Sequence, residues 1–297
     1  MQNSQASSTP GEPGRANGQS GILEGPMQFV SRTPCSTLAP FVDYIWALQD
    51  APAHAREGIV PSGTFELVVN LQEDRFRIYD ANARGCRRFS GAMISGTYTK
   101  PFVIDTREHA SIVGVHFRPG GAHPFLGVPA SELTDAHVDV SALWGRPAGE
   151  LRERLCAVST TAERFDVLEA YLRMRLRRAP AGEAAVSAAL EHLSGAGRSI
   201  ALIARDLGMS HRRFIEVFTR QVGLTPKRFD RIQRFQRALS VTLASKQRNW
   251  TELALDCGYY DHPHLLREFG TFATSTPAEL ARRQSHEMKA NHVAVGR

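Results

Sequence analysis

The chain has 297 residues, 42% hydrophobic and 22% charged, a composition that excludes fibrous or wholly disordered proteins and leaves room for two cores. Its four cysteines, Cys35, Cys86, Cys156 and Cys257, are scattered with no CxxC pair, which speaks against a disulfide scaffold or structural zinc and fits a reduced, cytoplasmic setting. The net charge of +6 is uneven: residues 1–182 carry 19 Lys+Arg against 19 Asp+Glu, residues 183–297 carry 17 against 11, so the second part either meets a polyanion or carries a solvated basic surface.

Residues 1–26 are rich in Gly, Pro, Ser, Gln and Asn and are expected to form a disordered tail, unlike a secretory signal. No apolar run approaches the roughly 18 residues that a membrane span needs. Residues 27–179 are expected to form a β-rich domain, barrel- or sandwich-like, with trailing helices, so the fold class is α+β. In 64–71, Phe65, Leu67, Val69 and Leu71 alternate with Thr64, Glu66, Val68 and Asn70. In 111–118, Val113, Val115 and Phe117 share one face, and Ile112, His116 and Arg118 the other. That second face is either a polar interior that recognises a small effector through His116 and Arg118, or a solvated surface. Leu143, Leu151 and Leu155 suit one helical region, and Phe165, Leu168, Leu172 and Leu176 another. Residues 180–189, opening Pro180-Ala181-Gly182, read as a linker running into the next helix.

The remainder repeats itself at a period of about 50 residues. Ile203-Ala204 corresponds to Leu253-Ala254, and Gly208 to Gly258. One residue is then added where Tyr259-Tyr260 replaces Met209. Beyond it Ser210 corresponds to Asp261, Phe214 to Leu265, Phe218 to Phe269, and Thr225-Pro226 to Thr276-Pro277. Each copy combines a first helix, a glycine turn, a good N-cap and a helix with an apolar stripe. That is the helix-turn-helix plan, whose second helix enters the major groove of double-stranded DNA. With Phe214, Val217, Phe218 and Val222 inward, the outward positions of the first recognition helix are His211, Arg212, Ile215, Glu216 and Thr219, with Arg213 at the edge. Arg212 can reach guanine, and Glu216 either accepts from cytosine, orients an arginine, or is solvated. In the second copy the outward set is Asp261, His262, Pro263, Leu266 and Arg267. Arg267 is its strongest base reader, Asp261 reads as a cap, and Pro263 either starts the helix or meets a thymine methyl. Thr225 to about Leu243 is expected to be one connecting helix, with Lys227, Arg228, Arg231, Arg234 and Arg237 on phosphates or simply solvated. Residues 286–297 read as a flexible tail.

The runs IALIARDLGMSHRRFIEVFTRQVGLTPKRF and TELALDCGYYDHPHLLREFGTFATSTPAEL, within 190–285, resemble the DNA-binding domain of the AraC/XylS family of regulators. The resemblance implies a cytoplasmic, non-enzymatic transcription regulator without a cofactor. It points independently to positions 211, 212, 215 and 216 as DNA contacts. An effector, RNA polymerase and a second copy of the chain are the further partners such a regulator admits. Where the first copy has Gly223, the second has Thr274, a departure that predicts a different turn. VPSGTFELVVNL, VGVHFRPGGAHPFLGVPASEL and VDVSALWG resemble, more loosely, a sensor-like N-terminal domain. The rival class is a DNA-binding enzyme: a metal-dependent cupin-type site on His109, His116 and His123, or alkyl transfer to Cys35 or Cys86.

Overall fold

The computed structural model describes residues 28–49, 56–82, 84–106, 110–177, 183–194, 199–244, 249–283 and 292–294. The expected tail 1–26 and Pro180-Ala181-Gly182 of the linker lie outside these residues, as does His109.

The N-terminal part is a sandwich of two antiparallel sheets. One has the order β1 (Gln28–Arg32), β2 (Val42–Gln49), β9 (Ser111–Phe117), β4 (Glu66–Asn70), β7 (Ala92–Ser95), β10 (His137–Asp139). The other runs β11 (His292–Ala294), β3 (Arg56–Ile59), β8 (Phe102–Asp105), β5 (Phe76–Tyr79), β6 (Cys86–Phe89). Both sheets are open, so this is a sandwich and not a closed barrel. Strand alternation builds two cores. Leu67, Val69, Val113, Val115 and Phe117 point to a helical layer, and Trp46, Val68, Met93 and Ile112 meet Ile59, Phe76, Ile78 and Ile104 between the sheets. Strand β9 is therefore buried on both faces. Gly114 is required there, because a Cβ would lie 2.5 Å from the Trp46 ring.

The helical layer consists of α1 (His123–Leu126), α2 (Val140–Trp144), α3 (Pro147–Ala157) and α4 (Thr161–Arg175). Leu143 belongs to α2 and Leu151 and Leu155 to α3, so the single helical region expected there is two helices. The break falls where Gly145 takes φ +67° and Pro147 starts the next helix. Thr160 and Glu163 close a capping box at the head of α4.

The C-terminal part is all-α: α5 (Glu183–Ser194), α6 (Ile200–Asp206), α7 (His211–Val222), α8 (Pro226–Ala244), α9 (Trp250–Asp256), α10 (His262–Ala273) and α11 (Pro277–Arg283). Its core holds Phe214, Phe218, Phe229, Phe235, Leu265 and Phe269, together with one residue from the sandwich, Val60, which is 1% exposed. The loop after β3 grips α8. Gln236 Nε2 donates to the Pro61 carbonyl at 2.6 Å and Gln233 Nε2 to that of Ser62 at 2.8 Å. Gly63, at φ +79°, lies flat on Phe229, whose ring a Cβ would meet at 3.1 Å. At the other end of the contact, Thr134 Oγ1 donates to the carbonyl of Gly223, which packs on Thr97 and Ala130.

Within 286–297, expected to be a flexible tail, residues 292–294 instead form β11. It pairs antiparallel with the free edge of β3, and His292 Nδ1 lies 2.6 Å from the Glu57 carboxylate. An open edge offers unpaired N–H and C=O groups to any extended segment, and three residues are too few to carry a periodic signal.

Candidate DNA-binding interface

Both copies of the repeat close the same turn with the same hydrogen bonds. Gly208 and Gly258 take φ +65° and +80°. The following N–H groups, of Met209 and Tyr259, donate to Ala204 at 2.9 Å and Ala254 at 2.8 Å. Ser210 then caps α7 through the Arg213 N–H at 3.2 Å, and Asp261 caps α10 through the His264 N–H at 2.7 Å. Met209 is thus the counterpart of Tyr259, and the residue added in the second copy is Tyr260.

On α7 the buried stripe is Phe214, Val217, Phe218, Gln221 and Val222. His211, Arg212, Arg213 and Glu216 are exposed, and Ile215 is half-buried beside them. Arg213 and Glu216 form an ion pair at 3.1 Å, one of the roles open to Glu216 from its spacing. Arg212 makes no ion pair among the described residues. On α10 the buried stripe is Leu265, Glu268, Phe269, Phe272 and Ala273. Pro263 and Arg267 are exposed, and His262 and Leu266 are half-buried. Pro263 is in the first turn of α10, where its missing N–H costs nothing. Each helix therefore presents its sequence-selected residues on the side away from the core.

The turn after the second recognition helix does not differ from the first. Thr274 ends α10 at φ +51°, the left-handed conformation that Gly223 takes at +87°. A β-branched residue is strained there, so the surrounding packing dictates the conformation.

Helix α8 carries the connection, with Thr225 capping it through the Arg228 N–H at 3.4 Å. Its basic residues divide. Lys227 and Arg228 are exposed. Arg231 donates to both Glu268 carboxylate oxygens, at 2.6 and 3.3 Å, and lies over Phe272. Its hydrogen bonds to Glu268 raise its pKa despite burial. Arg234 pairs with Asp230 at 2.8 Å and lies over the Tyr259 ring. Arg231 and Arg234 thus help hold the second motif to the connecting helix while staying partly solvated, a framing role that spacing alone did not predict. Glu268 was missed by the sequence reasoning. The available signal is a charged residue standing where the first copy has Val217.

In the sandwich, His116 and Arg118 are not brought together. Arg118 follows the end of β9, donates from Nε to the Ala39 carbonyl at 2.9 Å and pairs with Asp43 at 3.2 Å. His116 faces the second sheet, stacks on Tyr44 at 4.8 Å, and has Nδ1 3.7 Å from the Glu66 carboxylate. Register extends this into a polar row, Tyr44–His116–Glu66–Ser95–His137, across five strands. At its end His137 meets the Tyr98 hydroxyl through Nδ1, and Ser95 Oγ lies 3.4 Å from Nε2. Burial first, then Arg87, lowers the His137 pKa to about 3. Among the described residues no group of three or more His, Cys, Asp or Glu could hold a metal ion. Cys86 is exposed and Cys35 half-buried.

Two helix-turn-helix motifs with outward recognition residues, carried on one connecting helix and joined to a β-rich domain, define a DNA-binding transcription regulator. Residues 203–283 match a family model described as Helix-turn-helix domain. Residues 31–139 match one described as Domain of unknown function (DUF6597). No curated protein matches the chain. Among solved structures, an AraC-type transcriptional regulator from Chromobacterium violaceum is 19% identical over 36% of this chain and 97% of its own, at a TM-score of 0.33. A DNA-binding transcriptional dual regulator from Escherichia coli K-12 is 22% identical over 36% of this chain and 94% of its own, at 0.30. An apo ToxT variant from Vibrio cholerae strain SCE256 is 11% identical over 86% of this chain and 96% of its own, at 0.42.

Proposed function

We propose that a single chain reads two successive major grooves of cytoplasmic DNA, with 190–285 as the DNA-binding domain and 27–179 as the domain that modulates it. The observation that carries this reading is the tie between the two motifs. Helix α8 spans 19 residues, about 28 Å at 1.5 Å per residue, and is fastened to the second motif by Arg231 and Arg234. One turn of DNA is about 34 Å, so two outward helices carried on so stiff a spacer suit grooves one turn apart. The base readers proposed are His211, Arg212, Arg213, Ile215 and Glu216 in one groove and His262, Pro263, Leu266 and Arg267 in the next.

Modulation is supported by the Val60–Gly63 loop, which reaches the core around the same connecting helix. Effector recognition is proposed at His116 with Tyr44 and Glu66, and Arg118 is left as an anchor for the strand end.

Selection of binding sites from randomised duplex DNA by the full chain tests the reading. Two base clusters with centres about 10 base pairs apart are expected. Five base pairs inserted between them turn the clusters to opposite faces of the duplex, and binding should collapse. Undiminished binding to that duplex would remove the second motif from the DNA interface.

A further inference from the structure

The inserted residue of the second motif has a role that its fold does not explain. Tyr260 stands between two fixed points, the Tyr259 N–H on Ala254 and the Asp261 cap on His264. In the first motif the same two points are spanned with no residue between Met209 and Ser210. The extra residue is therefore pushed outward, and Tyr260 is 86% exposed. Exposed apolar side chains scattered singly are ordinary, so exposure alone means little. Position and rigidity single this one out. The Tyr260 N–H donates to His264 Nδ1 at 3.4 Å, and the His264 ring packs edge-on against buried Tyr259 at 5.2 Å. The backbone that carries it is held in place, so binding has only the ring itself to order. It projects beside the N-terminal turn of a recognition helix, the end that meets base edges.

The chemistry of the neighbouring positions differs between the motifs. Counterparts run His211 to His262, Arg212 to Pro263, Ile215 to Leu266 and Glu216 to Arg267. The leading turn of α7 thus offers Arg212 where that of α10 offers Pro263, with apolar Ile215 and Leu266 at the next outward position of each and the Asp261 carboxylate already occupied as a cap. An apolar leading edge is complementary to the C5-methyl groups of thymine in the major groove. We infer that Tyr260 is a DNA-contacting, specificity-determining residue of the second motif, laying its ring against a thymine methyl and the adjoining deoxyribose. This rests on the DNA-binding reading above.

The test uses the full chain and a duplex bearing its selected site, with affinity followed by fluorescence anisotropy. Tyr260→Ala should weaken binding on the order of tenfold, and Tyr260→Phe should stay within about twofold of wild type. Replacing the thymines of the second cluster one at a time by uracil, which removes only the methyl, should reveal at least one position where wild type loses affinity and Tyr260→Ala does not. Circular dichroism and thermal midpoints should be unchanged in both variants, since the side chain is exposed. The inference is overturned if Tyr260→Ala binds like wild type, if Tyr260→Phe loses as much as Tyr260→Ala, or if no uracil position separates the two proteins. Failure of the wild-type chain to select any sequence would instead overturn the DNA-binding reading, and this inference with it.

Discussion

Arg231 of the connecting helix and Glu268 of the second recognition helix form a two-pronged ion pair, with the glutamate side chain 7% exposed and the arginine side chain 38%. It joins the helix that connects the two motifs to the second helix of the second motif. Arg231→Ala leaves a buried carboxylate unpaired and should destabilise the chain by about 2 kcal/mol, below the range for a fully buried pair because the arginine is partly solvated. Replacing both partners by apolar residues, Arg231→Met with Glu268→Leu, should recover most of the loss. Urea denaturation of the full chain measures both. An Arg231→Ala protein as stable as wild type would show that the pair positions nothing.

The base readers should be separable. Arg212→Ala and Arg267→Ala are each expected to cost about 1–3 kcal/mol of binding and to relax specificity only at their own base cluster. The two positions share no contact, so the double variant should lose roughly the sum. Binding titrations against singly mutated sites test this, and an effect of Arg267→Ala at the first cluster would contradict it.

His137 should make the sandwich acid-sensitive. Its folded pKa of about 3 lies below the value near 6.5 of an unfolded chain. On acidification the unfolded state therefore takes up the proton first. The stability that the neutral imidazole supports is complete above pH 6.5 and is lost progressively as pH falls towards 3, by up to about 1.4 kcal/mol per pH unit. His137→Gln has no proton to gain and should flatten the profile of urea midpoints between pH 4 and 6.5. An unchanged slope in that variant would assign the acid sensitivity to other groups.

The Val60–Gly63 loop ties the stability of the helical part to the sandwich. Residues 183–297 in isolation lose the burial of Val60 and should be less stable than the same residues in the full chain, by about 1–3 kcal/mol. Gly63→Ala places a Cβ at positive φ and 3.1 Å from Phe229, and should cost about 1–2 kcal/mol. Calorimetry is expected to show the helical part melting earlier in both cases. Equal melting temperatures in fragment and full chain would mean that the loop contact contributes no stability.

The duplicated helix-turn-helix pattern was legible in the chain because each of its signals is local. Gly208 and Gly258 take the positive φ that their place after a helix demands, Ser210 and Asp261 cap their own helices, and the stripe from Phe214 to Val222 follows from helical period alone. Alternation in 64–71 and 111–118 likewise marked strands, since side-chain direction in a strand has a period of two. What lay beyond local pattern was decided by residues far apart in sequence. Whether the His116 face of β9 meets solvent, a ligand or another sheet depends on where β3, β5 and β8 pack, and no feature of 111–118 encodes that. Arg231 looked like one more solvated base until α10 placed Glu268 beside it, 37 residues on. Thr274 matches Gly223 in conformation though not in residue type, because packing around the second motif outweighs the intrinsic preference of one threonine. The sequence by itself determined the two motifs and the outward position of their readers. Only the tertiary structure decided which charges stand on the exposed faces and which hold the frame, because pairing a charge is a matter of distance in space.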